Sequence, residues 1–171
     1  MELSAAQRER YERNLLVEGF TDRMQQALIA ARVAVVGAGG LGSAALNYLV
    51  AAGVGHLTLI ENDTVSLSNL QRQVLYTTAD MGRPKAEVAA MRLSRLNPGC
   101  DIRVVTDRLT AANAAGLLGG HDAVVDCTDN YDARYVIDDF CREAEVPMIY
   151  GTAEAVGGQV AVFHRSEEHT S

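Results

Sequence analysis

The sequence contains few of the residues that build disulfide-linked or zinc-stabilised proteins. Its three cysteines, Cys100, Cys127 and Cys141, are too few and too scattered for a disulfide framework or a zinc site. No apolar run reaches the roughly 18 residues that a membrane helix needs, and the charged and apolar regions of a signal peptide do not open the chain. These absences argue against a membrane or secreted protein and predict a reducing cytoplasm as its location.

The sequence also lacks an excess of positive charge. Acidic residues outnumber basic residues by 22 to 15, which gives a formal net charge of −7, whereas nucleic-acid recognition requires a basic patch or stripe. We therefore expect neither nucleic acid nor membrane as a partner. All but one of the basic residues are arginine, a bias that codon usage explains, and the single lysine, Lys85, becomes a candidate functional residue.

The apolar residues that are present alternate between strand and helix patterns. The predicted strands cover residues 32–37, 56–60, 102–109, 122–126, 147–150 and 159–163, and the predicted helices cover 4–18, a short stretch from 21, 41–52, 84–96, 111–118 and 130–144. This order predicts an α/β fold, namely a Rossmann-like, doubly wound, mainly parallel sheet with helices on both faces, preceded by N-terminal helices. We expect a helical arm over 1–30, one domain over 31–164 and a polar tail over 165–171.

A glycine-rich segment, 37–42 (GAGGLG), follows the first predicted strand and opens a helix. Glycines permit a tight turn and let backbone N–H groups approach a phosphate at the positive end of the helix. Glu61 ends the next strand, where an acceptor for ribose hydroxyls is expected. The combination predicts nucleotide binding, with a purely structural glycine turn as the alternative.

Two cations and one acid extend the predicted site. Arg72 lies in a long polar loop, 64–82, and Lys85 lies at the start of the following helix. Arginine binds phosphate with a fork of donors and lysine with a point charge, so the pair suggests a triphosphate clamp, although either alone is usually a solvated surface cation. Asp129 follows a buried strand at a helix start, where a magnesium ligand and a helix N-cap are equally open.

Five segments in this order resemble the ubiquitin-activating-like adenylyltransferases of the ThiF, MoeB and HesA type. They are RYERNLLVEGF (10–20), VVGAGGLGSAALNYLVAAGVG (35–55), DTVSLSNLQRQVL (63–75), GRPKAE (82–87) and DCTDN (126–130). The resemblance covers essentially all of residues 8–164. It implies a homodimer that uses ATP and Mg²⁺ to adenylate the C-terminal glycine of a ubiquitin-like sulfur-carrier protein ending in Gly-Gly, with release of pyrophosphate.

The resemblance also implies roles for individual residues. It places Gly40 against the nucleotide, Glu61 on the ribose, where the family usually has Asp, and Asp129 on magnesium. The residues that it implies at the phosphates or elsewhere on the nucleotide are Ser68, Asn69, Leu70, Gln71, Arg72, Lys85 and Asn130. Arg13 matches an arginine that members of the family donate into the partner subunit's site. The implied catalytic set is Arg13, Arg72, Lys85 and Asp129.

The chain departs from the family pattern after residue 163. The family continues through paired Cys-x-x-Cys motifs that hold a structural zinc, and their ligands are absent from this sequence. We therefore expect a chain shortened before that region, with a tail, 165–171, that need not belong to the domain.

Three other functions stay open at this stage. A shortened, non-catalytic ATP-binding module is the first. An NAD-dependent oxidoreductase is disfavoured because the chain has no second domain and no Tyr-x-x-x-Lys pair. A dehydratase acting on modified tRNA is disfavoured by the net charge and by the SNLQRQ segment. Cys127, in a predicted buried strand end, is expected to be a core residue rather than a nucleophile.

Overall fold

The computed structural model describes residues 2–164, which form a six-stranded sheet with helices on both faces. The strands are β1 (Arg32–Val36), β2 (His56–Ile60), β3 (Asp101–Val105), β4 (Ala123–Asp126), β5 (Met148–Glu154) and β6 (Gly157–Phe163). Their order is β3-β2-β1-β4-β5-β6, with β6 antiparallel to β5 and every other neighbouring pair parallel. The predicted mainly parallel, doubly wound sheet is confirmed.

Seven α-helices accompany the sheet within the described range. They are α1 (Ala5–Arg10), α2 (Glu12–Leu15), α3 (Asp22–Ala30), α4 (Gly40–Ala52), α5 (Lys85–Leu96), α6 (Ala114–Leu118) and α7 (Tyr131–Ala144). Helices α4 and α5 bury Leu46 and Leu93 in a core on one face of the sheet, and α6 and α7 bury Leu118 and Ile137 in a second core on the other. No helix between residues 2 and 164 is long and apolar enough to cross a bilayer.

Strand β1 pairs with β2 on one side and with β4 on the other, so the strands before β4 and those from β4 onwards build the sheet outwards from β1 in opposite directions. In open α/β sheets, this reversal creates a crevice outside the carboxyl ends of the two central strands. The fold therefore positions the ends of β1, β2 and β4, and the starts of α4 and α7, around one crevice.

Several predicted boundaries were wrong. Strand β3 ends at Val105 rather than at residue 109, because Val105 pairs with Ile60, the last residue of β2, and no partner strand continues beyond it. Strands β5 and β6 are longer than predicted because they pair as a hairpin as far as Glu154 and Gly157. Helix α6 starts at Ala114 rather than at residue 111.

The helix predictions near the N-terminus and at Pro84 were also wrong in detail. The pattern over 4–18 forms two short helices that are interrupted at the buried Tyr11. Pro84 precedes α5 instead of starting it, because it forms an isolated bridge with Thr64. The backbone N–H of Lys85 then donates to the carbonyl of Asp63, at 2.9 Å.

The N-terminal arm packs at the end of the domain that is remote from the crevice. Tyr11 Oη accepts from the side chain of Asn97, which follows α5, and the Gln25 amide donates to the carbonyl of Ala52, the last residue of α4. Because α4 starts at the crevice and has 13 residues, its far end lies about 20 Å away. The arm is therefore held about one helix length from the carboxyl ends of the strands.

The polar loop over 64–82 contains two 3-10 helices, Leu67–Asn69 and Thr78–Asp80, and is anchored by one buried carboxylate. Asp80 accepts hydrogen bonds from the backbone and hydroxyl of Thr77, at 2.8 and 2.7 Å, and pairs with Arg83 and Arg92. Burial alone would raise the pKa of Asp80, but the Thr77 hydrogen bonds and the two guanidinium groups outweigh it and hold that pKa below its usual range. This carboxylate ties the loop to α5.

Replacing Asp80 with Asn removes the charge that Arg83 and Arg92 share and keeps the shape of the side chain. We expect the free energy of unfolding at pH 7 to fall by about 1.5–3 kcal/mol, the range for hydrogen bonds to a charged group, as measured by urea denaturation. Because the pKa is lower in the folded protein than in the unfolded chain, where it is about 3.9, this contribution is lost as the pH falls through the folded value. The difference between wild type and variant should therefore close below about pH 4.

Asp139→Asn is the matched control, since Asp139 and Arg142 form an ion pair whose side chains are 63% and 64% exposed. Its effect should stay below about 0.5 kcal/mol. Equal losses in the two variants would contradict the anchoring role of Asp80.

Candidate functional site

A cavity of about 800 Å³ lies where β1, β2 and β4 end. This volume falls within the range of small-molecule sites. Of the residues singled out in the sequence, it is lined by Gly40, Glu61, Arg72, Lys85, Asp129 and Asn130. The structure thus brings these six predicted residues together at the crevice that the strand order creates.

The glycine-rich turn forms the floor of the cavity and depends on two close approaches. Gly37 has a φ of +94°, and a Cβ there would lie 2.8 Å from the carbonyl oxygen of Cys127. A Cβ on Gly42 would lie 2.1 Å from the carbonyl oxygen of Gly37, well inside contact distance. Helix α4 begins without a side-chain cap at Gly39, so its first N–H groups have no partner within the helix and are available to an anion.

Glu61 is tied to this turn by both carboxylate oxygens. Its Oε2 accepts from the N–H of Ala38 and its Oε1 from the N–H of Asp63, each at 2.8 Å. The carbonyl of Ala38 in turn accepts from Tyr76 Oη, at 2.9 Å, and from Ser43 Oγ, at 3.3 Å. Each carboxylate oxygen keeps a second lone pair, so Glu61 braces the glycine turn and still offers acceptors to the cavity.

The two predicted cations line the same cavity from different supports. The Lys85 side chain is only 4% exposed, and its Nζ lies 3.1 Å from Oδ2 of Asp63. The Arg72 stem lies 3.6 Å from where a Cβ on Gly40 would be, and its Nη1 donates to the carbonyl of Ser68, at 3.2 Å. Arg72 therefore covers the start of α4 while Lys85 supplies a buried positive charge.

The structure decides which of the neighbouring residues Asp129 and Asn130 caps α7. Asn130 is the N-cap of α7, since its Oδ1 accepts from the N–H of Ala133 at 2.9 Å. Asp129 is exposed and makes no hydrogen bond or ion pair with any residue between 2 and 164. The capping role of Asp129 was therefore wrong, and its carboxylate lines the cavity without a partner in the described chain.

A buried ion pair lies beneath this loop. Asp126, which is fully buried, accepts from the N–H and hydroxyl of Thr128, at 2.9 and 2.6 Å, and from Nε of Arg134, at 2.9 Å. Arg134 also donates to the carbonyl of Thr128, and its guanidinium lies 4.5 Å from the centre of the Tyr150 ring. These contacts set the shape of the loop that carries Asp129.

Five predicted residues lie outside the cavity lining. Leu70 packs against the core because the turn from Leu67 directs it inwards, and Ser68 and Gln71 are exposed. Asn69 accepts from the N–H groups of Arg72 and Gln73 through its carbonyl. Arg13 is exposed on the N-terminal arm, remote from the crevice.

The sequence analysis missed several residues that line the cavity. They are Asp63, Gln73, Asp107, Arg108, Thr128, Tyr131 and Arg134. Asp63 and Gln73 flank residues that were singled out, so closer attention to the polar segment could have found them. Asp107 and Arg108 were hidden by the prediction that β3 extends to residue 109.

A preformed metal cage is not part of this site. Among the residues that the structure describes, no group of three or more His, Cys, Asp or Glu side chains is placed to hold a metal ion. Magnesium that arrives with a polyphosphate needs only one or two carboxylates from the protein. The unpartnered carboxylate of Asp129 fits that requirement.

The cysteines do not have the properties of nucleophiles. Cys127 lines the cavity, but burial, with a smaller effect from Asp126, raises its pKa to about 12. Burial likewise raises the pKa of Cys100 and of Cys141 to about 11. All three thiols are buried and free of disulfides, which agrees with the core role expected for Cys127.

A family model described as the ThiF family matches residues 11–171. The chain is 49% identical over 162 residues to the molybdopterin-synthase adenylyltransferase of Salmonella typhimurium. The aligned residues make up 95% of this chain and 65% of that protein. It is 46% identical over 161 residues to the sulfur carrier protein adenylyltransferase of Thermus thermophilus, and the aligned residues make up 94% of this chain and 59% of that protein. The chain thus spans less than two thirds of either protein.

Solved structures give the same picture. The tRNA N6-threonylcarbamoyladenosine dehydratase TcdA of E. coli, in complex with ATP, superposes with a TM-score of 0.83 at 33% identity, over 90% of this chain and 63% of that one. E. coli MccB with ATP superposes with a TM-score of 0.79 at 26% identity, over 87% of this chain and 46% of that one.

The raised pKa values predict that all three thiols are unreactive in the folded protein. At pH 8, a thiol with a pKa of about 11 or 12 is ionised at least about 100-fold less than an ordinary cysteine with a pKa of about 8.5. We expect labelling by an alkylating reagent to be slower in the native protein than in urea by at least this factor. Mass spectrometry of the labelled peptides would measure it, and rapid native labelling of Cys127 would contradict the burial.

Proposed function

Because this chain belongs to the ThiF family, we propose that it carries the ATP site of an enzyme that adenylates a ubiquitin-like sulfur-carrier protein. The reacting group is the carboxylate of the carrier's C-terminal Gly-Gly, and the second product is pyrophosphate. The observation that carries this proposal is the convergence of the glycine turn, Glu61, Arg72, Lys85 and the free Asp129 on one cavity. The names of the relatives support the substrate class.

The walls of the cavity suit the parts of ATP. Glu61 offers acceptor lone pairs to the ribose hydroxyls, and the uncapped start of α4 at Gly40 offers N–H donors to a phosphate. Arg72 and Lys85 supply positive charge beside it. Asn130, which holds the start of α7, lines the same space.

The proposed reaction requires charge stabilisation rather than proton transfer. A carboxylate oxygen of the carrier forms a bond to the α-phosphorus, and the bond from that phosphorus to the bridging oxygen breaks, so that pyrophosphate leaves with the electron pair. The nucleophile is already anionic, and no general base is needed. Arg72 and Lys85 offset the developing negative charge in a partly desolvated site, where such interactions are stronger than in water.

Magnesium, when bound, would neutralise phosphate charge, and Asp129 is the residue that would hold it. Asp126 and Arg134 keep the loop of Asp129 in place. The Lys85 side chain is buried in the cavity wall, and its hydrogen bond to Asp63 holds the ammonium group there.

Other functions receive less support. The identity to carrier adenylyltransferases, 49% and 46%, exceeds the 33% to the tRNA dehydratase structure. A non-catalytic ATP-binding module would use the same residues, so only turnover distinguishes it. An NAD-dependent oxidoreductase would not need two cations and a free carboxylate at the phosphates. We also propose a reducing cytoplasm as the compartment, in which three free thiols persist.

We further propose that two subunits build each site, with Arg13 acting on the partner's nucleotide. Arg13 is exposed, and its neighbour Asn14 contacts the carbonyl of Ala52 at the far end of α4. The intervening helix of 13 residues spans about 20 Å, which is beyond the reach of an arginine side chain into its own cavity. A two-fold dimer could deliver the residue reciprocally.

The proposed activity is tested by carrier-dependent exchange of labelled pyrophosphate into ATP. Lys85→Met removes a charge-assisted contact worth about 1.5–3 kcal/mol, and Asp129→Asn weakens metal binding, so each should lower the exchange rate about ten- to a hundredfold. Melting temperatures should change little, because Asp63 is 67% exposed and stays hydrated without its partner. Arg95→Met, at an exposed position near the other end of α5, is the control and should exchange normally.

Exchange that does not depend on a carrier with an intact Gly-Gly terminus would overturn the substrate assignment. ATP binding without any exchange would leave the binding module as the function. Normal exchange by Asp129→Asn would remove that residue from the proposed metal site.

The two-subunit site is tested by mixing Arg13→Ala protein with Asp129→Asn protein, each of which should keep at most about a tenth of wild-type activity alone. A mixed dimer has one site with both groups intact and one that lacks both. Random mixing makes half of the dimers mixed, so about a quarter of wild-type activity should return. Differently tagged subunits would show that mixing occurred, and exchange of subunits without recovery of activity would rule out a contribution of Arg13 across the dimer.

A further inference from the structure

The carbonyl of Ala52, the last residue of α4, takes its hydrogen bonds from the N-terminal arm. The last carbonyls of a helix have no partner within that helix. Here two side-chain amides supply one: Nδ2 of Asn14 donates to the Ala52 carbonyl at 3.2 Å, and Nε2 of Gln25 donates to it at 3.0 Å. The same Asn14 nitrogen donates to Oε1 of Gln25, at 2.9 Å. These three residues form a closed polar contact between the arm and α4, which we call the arm joint.

The arm joint is closely packed. Gly53, which follows α4 with a φ of +102°, has no room for a side chain, because a Cβ there would lie 2.5 Å from Nε2 of Gln25 and 2.8 Å from the ring of Tyr11. Gln25 is fully buried, and Tyr11 is buried beside it. The Tyr11 hydroxyl also accepts from the side chain of Asn97, at 2.9 Å. The arm is therefore fixed to the domain at this point.

Helix α2, which carries Arg13, depends on the arm joint for its orientation. It has only four residues, Glu12–Leu15, and none of them is buried. A helix of one turn is not stable on its own in water, so contacts with the rest of the protein must hold it. Asn14 supplies such contacts from within α2, through the two hydrogen bonds that its amide donates.

Arg13 differs from the two other arginines in the first 15 residues. Arg8 pairs with Asp22, and Arg10 donates to the carbonyl of Leu96, at 3.1 Å. Arg13 is exposed and makes no hydrogen bond or ion pair with any residue between 2 and 164. Because Asn14 is the next residue in the chain, the arm joint fixes the backbone from which this unpaired guanidinium extends.

We propose that Asn14 is a positioning residue, which holds α2 on the end of α4 so that Arg13 is presented to the nucleotide of the partner subunit. The inference rests on the proposed two-subunit site and adds the residue on which the delivery of Arg13 depends. Asn14 lies at the far end of the 13-residue helix α4, about 20 Å from its own cavity. Its loss should therefore impair the partner's site and leave the site of its own subunit intact.

Asn14→Ala removes both hydrogen bonds that the side chain donates. Because the loss of one hydrogen bond changes an equilibrium by about three- to tenfold, we expect carrier-dependent pyrophosphate exchange to fall by about that factor. Asn14→Asp keeps the size of the side chain but has no N–H donor, so it should show the same loss. Arg8→Ala is the control, since it removes an arm contact whose side chains are 50% and 43% exposed, and it should exchange normally.

Mixing experiments separate positioning across the dimer from damage to the fold of one subunit. Asn14→Ala mixed with Asp129→Asn should recover about a quarter of wild-type activity or more, because each mixed dimer has one site with an intact Asp129 and an intact partner arm. Asn14→Ala mixed with Arg13→Ala should give no more than the mean of the two separate proteins, because every arm in that mixture is impaired.

The opposite pattern would overturn the inference. If Asn14→Ala damages the site of its own subunit, mixing it with Arg13→Ala restores activity and mixing it with Asp129→Asn does not. Exchange by Asn14→Ala at the wild-type rate would also overturn it. If Arg13→Ala and Asp129→Asn do not complement each other although their subunits exchange, the two-subunit site fails and this inference fails with it, whereas the proposed adenylation stands.

Discussion

The site depends on the close contact between Gly37 and Gly42. The backbone passes so near to itself that a Cβ on Gly42 would lie 2.1 Å from the Gly37 carbonyl oxygen. This approach directs the chain from the end of β1 into α4 within a few residues and leaves the start of the helix open. Gly37 also abuts the carbonyl of Cys127, so the same turn sets the distance between β1 and the loop after β4. The two walls of the cavity are thus coupled through backbone atoms alone.

Polar contacts extend this constraint to the rest of the site. Ala38, inside the turn, bonds to Glu61 through its N–H and to Tyr76 through its carbonyl. Tyr76 belongs to the polar loop, and Asp80 anchors that loop to α5, the helix that starts with Lys85. Glu61, the buried Lys85 and the loop of Arg72 are therefore parts of one hydrogen-bonded frame. Such a frame positions charged groups before a ligand arrives, which is the condition for electrostatic catalysis.

Much of this arrangement could be predicted from the sequence because it follows from local patterns. Valine-rich runs, the glycine segment and the acid after β2 indicated the sheet, the turn and the position of Glu61. The end of β3 could not be predicted, because it depends on where β2 stops pairing. The sequence also could not show whether Asp129 or Asn130 caps α7, because both residue types cap helices. Gln73 escaped notice because its significance comes from burial without a partner, which is a property of the folded structure.

Lys85 and Gln73 are buried polar residues whose hydrogen-bonding capacity is only partly used within residues 2–164. The Lys85 ammonium group has three donors, and within residues 2–164 its side chain donates only to Asp63. Gln73, which lines the same cavity, has a side-chain oxygen without a hydrogen-bond partner between residues 2 and 164. Folding removes both groups from water and provides fewer partners than water did, which is unfavourable. A ligand that brings acceptor oxygens to the same wall would supply partners for the unused donors of Lys85, so part of the free energy that folding leaves unrecovered there becomes available to binding.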